Sequence, residues 1–558
     1  MPDYRTLDLS SLCNTTTTAL VPNEEIPSGE RQYHGLPFLL GGAGGRVIGL
    51  GEGLGLGSVV VAVGQALRHV VFAHRLIDSK LQEGDPVGRT CAEYVFGFAD
   101  GEAVSVPVRE RLEIGKIPIE WGQIAMLCYP DEKDSLQPRY SGNWEAVGRR
   151  QTEANQSWPK AFYLWAWTNP TPERKLESIT LVPKGPRFFV AAITLGQLGE
   201  FPFNRNAKLD VKLTLDKLAG DKEPFDLSVE VDRGVATYPY PLPQQSAEEF
   251  LSDGHAGWGQ SKNDDATPAY VQIAANPSAT VSVKQGSELV GSARWGDVLE
   301  KGKVDAGPRL HIELVDHGRN WVHTTVLDDD SGKPVPCRVH FRSAEGIPYQ
   351  PHGYHDHVGS DLGTWHLDNG GDLRLGQISY AYIRGECQGW LPRGDVIVDI
   401  ARGFEYEPLR TRVELQPGQR ELTFRLKRFR NMNAERYFSG DTHVHFLSTQ
   451  GAHLEASGED LNVVNLLQAQ CGHLFTDTQE FTGRPSVAPD GKTIVYASQE
   501  NRQHLLGHLL LLGLKQPVMP WSSDGPSEAE LGGNLETTTS RWADACHAQG
   551  GTVVLPHL

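Results

Sequence analysis

Two histidines separated by one valine, His443-Val444-His445, can put two imidazoles on one side of a strand, because alternate residues of a strand face the same way. Both rings would then leave one strand end towards a single metal ion while Val444 packs behind them. Further on, residues 493–498 read as a strand that ends in Gln499-Glu500. A carboxylate at the C-terminal end of a strand is how βα-barrel enzymes build their sites. His504 and His508 follow within a few residues, and the apolar run 552–555 delivers Pro556-His557. The order is therefore His-x-His, Glu, Gly-His and Pro-His, each at or just past a predicted strand end. Imidazole together with carboxylate suits Zn²⁺, Mn²⁺ or Fe²⁺ rather than Ca²⁺. His504, four residues before His508, is either a proton donor or a space-filling residue.

The elements that must position these groups begin near Arg436-Tyr437-Phe438, where the pattern changes to alternating strands and helices, as in parallel βα units. Ser457-Gly458-Glu459-Asp460 has the Ser-x-x-acid form of a helix start, and Leu461, Val464, Leu467 and Cys471 then recur at helical spacing. Residues 474–477 read as a second strand. A helix over 540–546 ends at Gly550-Gly551, a favourable C-terminal signal.

Upstream, residues 1–198 show short alternating or apolar runs broken by Gly, Pro and Asp, as in a β-sandwich. The runs 59–63 and 69–73 read as neighbouring strands about Gly64-Gln65, and 91–98 with 103–108 as a hairpin around Asp100-Gly101. Trp158, Phe162, Tyr163, Trp165 and Trp167 form an aromatic cluster that is either a core face or a sugar-stacking platform. Residues 199–322 carry a second β unit or an elaboration of the first, with strands at 209–215 and 227–231 and a loop over 253–265. Residues 323–430 read as another sandwich. Inside it lies Pro351-His352-Gly353-Tyr354-His355-Asp356-His357, a loop that could bind metal, sit on the surface, or line the entrance of a neighbouring site.

Composition sets the outer limits. At 558 residues the chain is long enough for about three or four domains. Its 60 glycines and 35 prolines favour many short strands over long helices. A formal net charge of -18 argues against nucleic acid, whose binding needs a basic face. The seven cysteines are scattered without a Cys-x-x-Cys pair, so no disulfide framework is expected. No apolar run is long enough to span a bilayer, and the first residues lack a basic segment followed by an apolar one. The expectation is a cytoplasmic chain with a small-molecule or glycan-like substrate, no nucleic-acid or membrane partner, and scope for a homo-oligomer.

Three stretches resemble known families. Residues 1–198 loosely resemble jelly-roll, carbohydrate-binding-like modules. Residues 323–430, with a strand, an acidic Gly-containing turn, Pro334-Val335-Pro336 and a second strand, resemble transthyretin-like Ig folds. The segment 437–558, opening with Gly440-Asp441-Thr442-His443-Val444-His445, resembles the PHP (polymerase and histidinol phosphatase) metallohydrolases of the CehA/McbA-like group. The implied architecture is multidomain and mainly β, with two kinds of sandwich followed by a partial α/β PHP-like barrel. The last resemblance implies two divalent ions (Zn, Mn or Fe). His443 and His445 would hold one, His508 and His557 the other, and Glu500 would bridge them, while Asp441 orients an imidazole through its other ring nitrogen. It implies hydrolysis of an ester, carbamate, amide or phosphoester bond by an activated water. Members commonly carry Thr-Asp-His where this chain reads Thr476-Asp477-Thr478, so one ligand is absent unless His473 or His453 replaces it. A full barrel of this type needs on the order of 200 residues or more, so the family's final Asp-x-His ligands are expected beyond Leu558. The alternative is a carbohydrate-binding or assembly protein with a degenerate, non-catalytic metal domain.

Overall fold

A computed structural model describes residues 3–24, 26–41, 45–55, 57–119, 124–133, 158–217, 220–258, 263, 265–354, 372–375, 378–471, 474–523 and 536–557. The protein is mainly β, with several antiparallel sandwich sheets and a mixed sheet at the C-terminal end. It divides into two compact units. The first holds the described residues of Met1–Gln137, Thr152–Pro239 and Ala269–Val315, and the second those of Tyr240–Pro268 and Asp316–Leu558. No helix among the described residues is long and apolar enough to cross a membrane.

In the first unit, one sheet runs Tyr163–Thr168, His69–Leu76, Phe188–Gly196 and Arg46–Leu50, and another runs Val59–Ala66, Lys175–Pro183, Thr90–Phe98 and Ala103–Arg109. Their inward residues form one core containing Phe72, Tyr94, Phe96, Trp165, Trp167 and Ile179. The hairpin around Asp100-Gly101 forms, pairing Thr90–Phe98 with Ala103–Arg109. The strands 59–66 and 69–76, in contrast, are not neighbours. The chain crosses from one sheet to the other between them, because His69–Leu76 is buried on both faces and needs partners on each side. The aromatic cluster is core: Phe162, Tyr163, Trp165 and Trp167 are buried, Trp167 stacks on Phe96 with centroids 3.6 Å apart, and Trp158 alone is exposed. Leu209–Leu215 and Leu227–Val231 are both strands, in two further antiparallel sheets.

In the second unit, a three-stranded sheet (Glu386–Pro392, Arg319–Asp328, Glu421–Leu426) accompanies a five-stranded one (Asp372–Leu375, Ile378–Ile383, Cys337–Ser343, Gly394–Ala401, Leu409–Leu415). The helix Ala247–Ser252, closed at its start by a capping box between Ser246 and Glu249, buries Phe250 against Ile378, Tyr380 and Ile397. Of the histidine-rich loop, His355, Asp356 and His357 lie outside the described residues. His352 sits edge-on to Trp321, with ring centroids 5.4 Å apart.

The C-terminal elements are β1 (Gly440–Val444), α1 (Thr449–Gly458), β2 (Val463–Cys471), β3 (Leu474–Thr476), β4 (Ser486–Val487), β5 (Ile494–Gln503), β6 (Gly507–Leu512), α2 (Thr539–His547) and β7 (Thr552–Val554). The sheet order is β1-β2-β5-β6-β7. The first three strands are parallel, while β6 runs antiparallel to both β5 and β7. Expected helix 461–471 is strand β2. A central strand covered on both faces reads as an apolar run without a clear period, and Val463-Val464 favours the extended form. Ser457–Asp460 closes a helix instead of opening one: α1 starts at the Ser448 cap, and Asp460 follows its end at φ 56°. Residues 474–476 form a short return strand paired back on β2. The strand read as ending near residue 498 continues to Gln503, so Glu500 lies within it, and 504–506 is the turn of a hairpin.

Candidate metal centre

His443 is the fourth residue of β1 and His445 lies just past its end. Val444 between them packs against the core of Ala452, Ala456, Val464, Leu466 and Val495. The two imidazoles consequently share one side, with their Nε2 atoms 3.2 Å apart. Immediately afterwards the chain turns sharply. Phe446 sits at φ 63°, unusual for a bulky residue, and its N–H donates to the Asp477 carboxylate at 3.2 Å. Asp477 also lies at positive φ, 56°. This paired kink carries the chain away from the imidazoles into α1.

Glu500 stands on β5 with its side chain fully buried, at 0% exposure. Each carboxylate oxygen meets a different pair of histidines. Oε2 lies 2.7 Å from His445 Nε2 and 3.7 Å from His443 Nε2. Oε1 lies 2.9 Å from His508 Nδ1 and 3.6 Å from His557 Nε2, and those two nitrogens are 3.2 Å apart. The β5–β6 register explains the second pair. Arg502 faces His508 directly, and Glu500, two residues before Arg502, shares its side of the sheet. Pro556-His557, following β7, completes the group.

The electrostatics favour an ionised carboxylate at the centre of the group. Burial alone would raise the Glu500 carboxyl, but hydrogen bonds from His445 and His508 and the charge of Arg502 hold it well below the usual carboxylate range. Burial lowers His443, and although Glu500 opposes this, neighbouring His445 and His557 reinforce it. A neutral imidazole keeps a lone pair for coordination.

Two groups of three have the residue types and spacing to hold a metal ion, and they share Glu500. The ligand atoms of His443, His445 and Glu500 lie within 4.8 Å of one another, as do those of Glu500, His508 and His557. Facing imidazole nitrogens at 3.2 Å can share only one hydrogen between them. His445 Nδ1 is buried without a hydrogen-bond partner among the described residues, so that ring's other nitrogen is not anchored by a protein acceptor.

Other residues singled out in the sequence lie differently. The exposed Asp441 carboxylate accepts the backbone N–H of His443 at 2.9 Å instead of an imidazole N–H, because in a tight strand end the nearest donor two residues on is backbone. His504 is exposed on the β5–β6 turn and is tied down through its backbone N–H to Ser523 Oγ, apart from both ligand groups. His453 lies on α1 with Nε2 3.0 Å from Ser486 Oγ and belongs to neither ligand group. His473 lies outside the described residues. Two contributors are not evident from motif reading. Arg502 places Nη2 3.2 Å from Glu500 Oε2. Its position two residues after Glu500 in one strand was the available signal. Asp477 acts on the Phe446 backbone, for which only its place in Thr476-Asp477-Thr478 gives a hint.

No protein-family model and no curated protein matches the chain. Among solved structures it is similar to one described as the crystal structure of group B streptococcus pilus 2b backbone protein, at 8% sequence identity, with 66% of this chain and 92% of that chain covered and a TM-score of 0.17.

Proposed function

We propose that the chain is a metal-dependent hydrolase of the PHP type, CehA/McbA-like, whose C-terminal sheet carries a two-ion centre. Its upstream modules are then a jelly-roll-like and a transthyretin-like sandwich. The observation that carries the reading is the division of one buried carboxylate between two histidine pairs, His443 and His445 on Oε2, His508 and His557 on Oε1. That is the donor set of Zn²⁺, Mn²⁺ or Fe²⁺. When bound, such a pair of ions supplies Lewis acidity and lowers the pKa of water so that hydrolysis proceeds near neutral pH.

The chain's own groups have separate tasks. Glu500 remains ionised and fixed at the centre of the group. Val444 and the Phe446–Asp477 kink hold the first pair of rings together. No side-chain nucleophile is required, and the bond class extends over esters, carbamates, amides and phosphoesters.

The test pairs metal analysis of the purified chain with turnover of p-nitrophenyl acetate, a p-nitrophenyl carbamate and p-nitrophenyl phosphate. Bound Zn, Mn or Fe with chelator-sensitive hydrolysis of at least one of these supports the reading. A chain that takes up none of the three ions supports the glycan-binding or assembly alternative.

A further inference from the structure

We propose that a cavity alongside α1 is a binding site for a small zwitterion, an amino acid or dipeptide with apolar side chains. Its lining residues belong to neither ligand group of the metal centre, so the site stands whether or not ions bind there.

The cavity has a volume of about 660 Å³, within the range of small-molecule sites. One wall is a face of α1, because Thr449, His453 and Ser457 recur every four residues and so lie above one another, with Leu454 beside them. His453 Nε2 lies 3.0 Å from Ser486 Oγ, which ties that face to β4. The neighbouring sandwich supplies more of the lining. Cys337 pairs with Ile383, so Pro336 and Arg384, one residue beyond each, stand together at the same end of the sheet. Pro336, Leu454, Ala488 and Pro489 make part of the surface apolar.

Arg384 and Asp490 bring unlike charges to this cavity. Both are felt at the His453 ring: burial lowers it, Arg384 adds to the lowering and Asp490 opposes it. Yet they do not pair with each other, and neither forms an ion pair with any described residue. Among the described residues Arg384 makes no hydrogen bond, and Asp490 accepts the Lys492 N–H at 3.0 Å. Glu480, the other acid in the lining, is engaged differently: its Oε2 accepts both the N–H and the hydroxyl of Thr449 at the start of α1. A carboxylate matches the planar fork of Arg384, and an ammonium matches the carboxylate of Asp490. A ligand of one sign satisfies one of these groups and is repelled by the other. A molecule carrying both signs satisfies both, and its apolar body packs on Leu454 and the prolines.

Calorimetric titration of the whole chain with L-leucine and L-leucyl-L-leucine, beside isocaproate and isoamylamine, tests the assignment. The last two carry one charge each on a similar apolar body. At least one zwitterion is expected to bind about tenfold or more tightly than either single-charge probe. Arg384→Gln and Asp490→Asn, both at exposed positions where folding is kept, are each expected to weaken that zwitterion about tenfold to a hundredfold. A single-charge probe that binds as tightly as the zwitterions overturns the inference. So does a wild type that binds neither zwitterion, and so does unchanged zwitterion affinity in either variant. The metal content of the wild type, measured on the same preparation, tests the two-ion reading separately.

Discussion

His443 and His557 belong to opposite ends of the sheet path β1-β2-β5-β6-β7, yet their rings stack with centroids 6.0 Å apart and planes 18° apart. A flat sheet would hold strands this far apart in the path well beyond contact, since neighbours are spaced about 4.8 Å. The curvature of the sheet therefore closes its two ends over Glu500, which stands on the central strand.

Under the two-ion proposal each histidine pair serves its own ion, so the two halves of the centre are separable. His443→Ala is expected to remove one bound ion and leave the other, and His508→Ala to do the reverse, with far-ultraviolet circular dichroism unchanged. Equal loss of both ions in each variant would point to one shared position in place of two.

His504→Ala is expected to change turnover by less than about threefold, because the ring is exposed on the hairpin turn and its bond to Ser523 is made through the backbone. A positioned general acid contributes about a hundredfold or more. A loss of that size would restore His504 as a proton donor.

Asp460 ties α1 to the neighbouring sandwich. Its carboxylate accepts from Arg402 at 2.5 Å and from Arg428 at 2.6 Å, with all three side chains largely buried. Asp460→Asn keeps a residue tolerant of φ 56° but takes the counter-charge from Arg402 and leaves Arg428 with Glu405 alone. The expected cost is about 3 kcal/mol, measured by urea unfolding of the whole chain. A change under about 0.5 kcal/mol would show that solvent already screens the pair.

Acid should destabilise the first unit through His74. Its Nε2 lies 2.9 Å from the Glu113 carbonyl, which can only accept, so Nε2 carries the proton and Nδ1 accepts from Tyr94 O–H at 3.0 Å. Burial pushes this ring down to about 4, against 6.5 for a free histidine. Between those values the unfolded chain binds more protons than the folded one. Stability is therefore full above about pH 6.5 and falls as pH drops towards 4, by about 3 kcal/mol over the window. Denaturant midpoints across this range should show the decline, and His74→Gln should flatten it. An equal slope in the variant would place the sensitivity elsewhere.

The four histidines that the structure gathers were legible because each stands at or beside a strand end, and the two-residue period of β structure put His443 with His445 on a shared face, whereas Glu500 lies inside β5. Strand β2, between β1 and β5, was not. Residues 466–470 are all buried, which erases the alternation that marks a half-covered strand, and the Ser-x-x-acid signal just before this strand belongs to the end of α1. The crossover between strands 59–66 and 69–76 was hidden for a related reason: short spacing suggests a hairpin, and only the burial of both faces of the second strand sends it to another sheet. The role of Asp441 depended on a hydrogen bond to its own nearby backbone, which spacing alone does not distinguish from one to an imidazole.

The most direct test of the two-ion centre is the metal content of Glu500→Gln beside the wild type, each saturated with Zn²⁺ or Mn²⁺, desalted and analysed by mass spectrometry. The substitution keeps the shape and removes the charge that both histidine pairs share. The wild type is expected to retain about two ions per chain and Glu500→Gln fewer than about one, with the sandwiches still folded. Wild-type metal content in Glu500→Gln would contradict the bridging carboxylate.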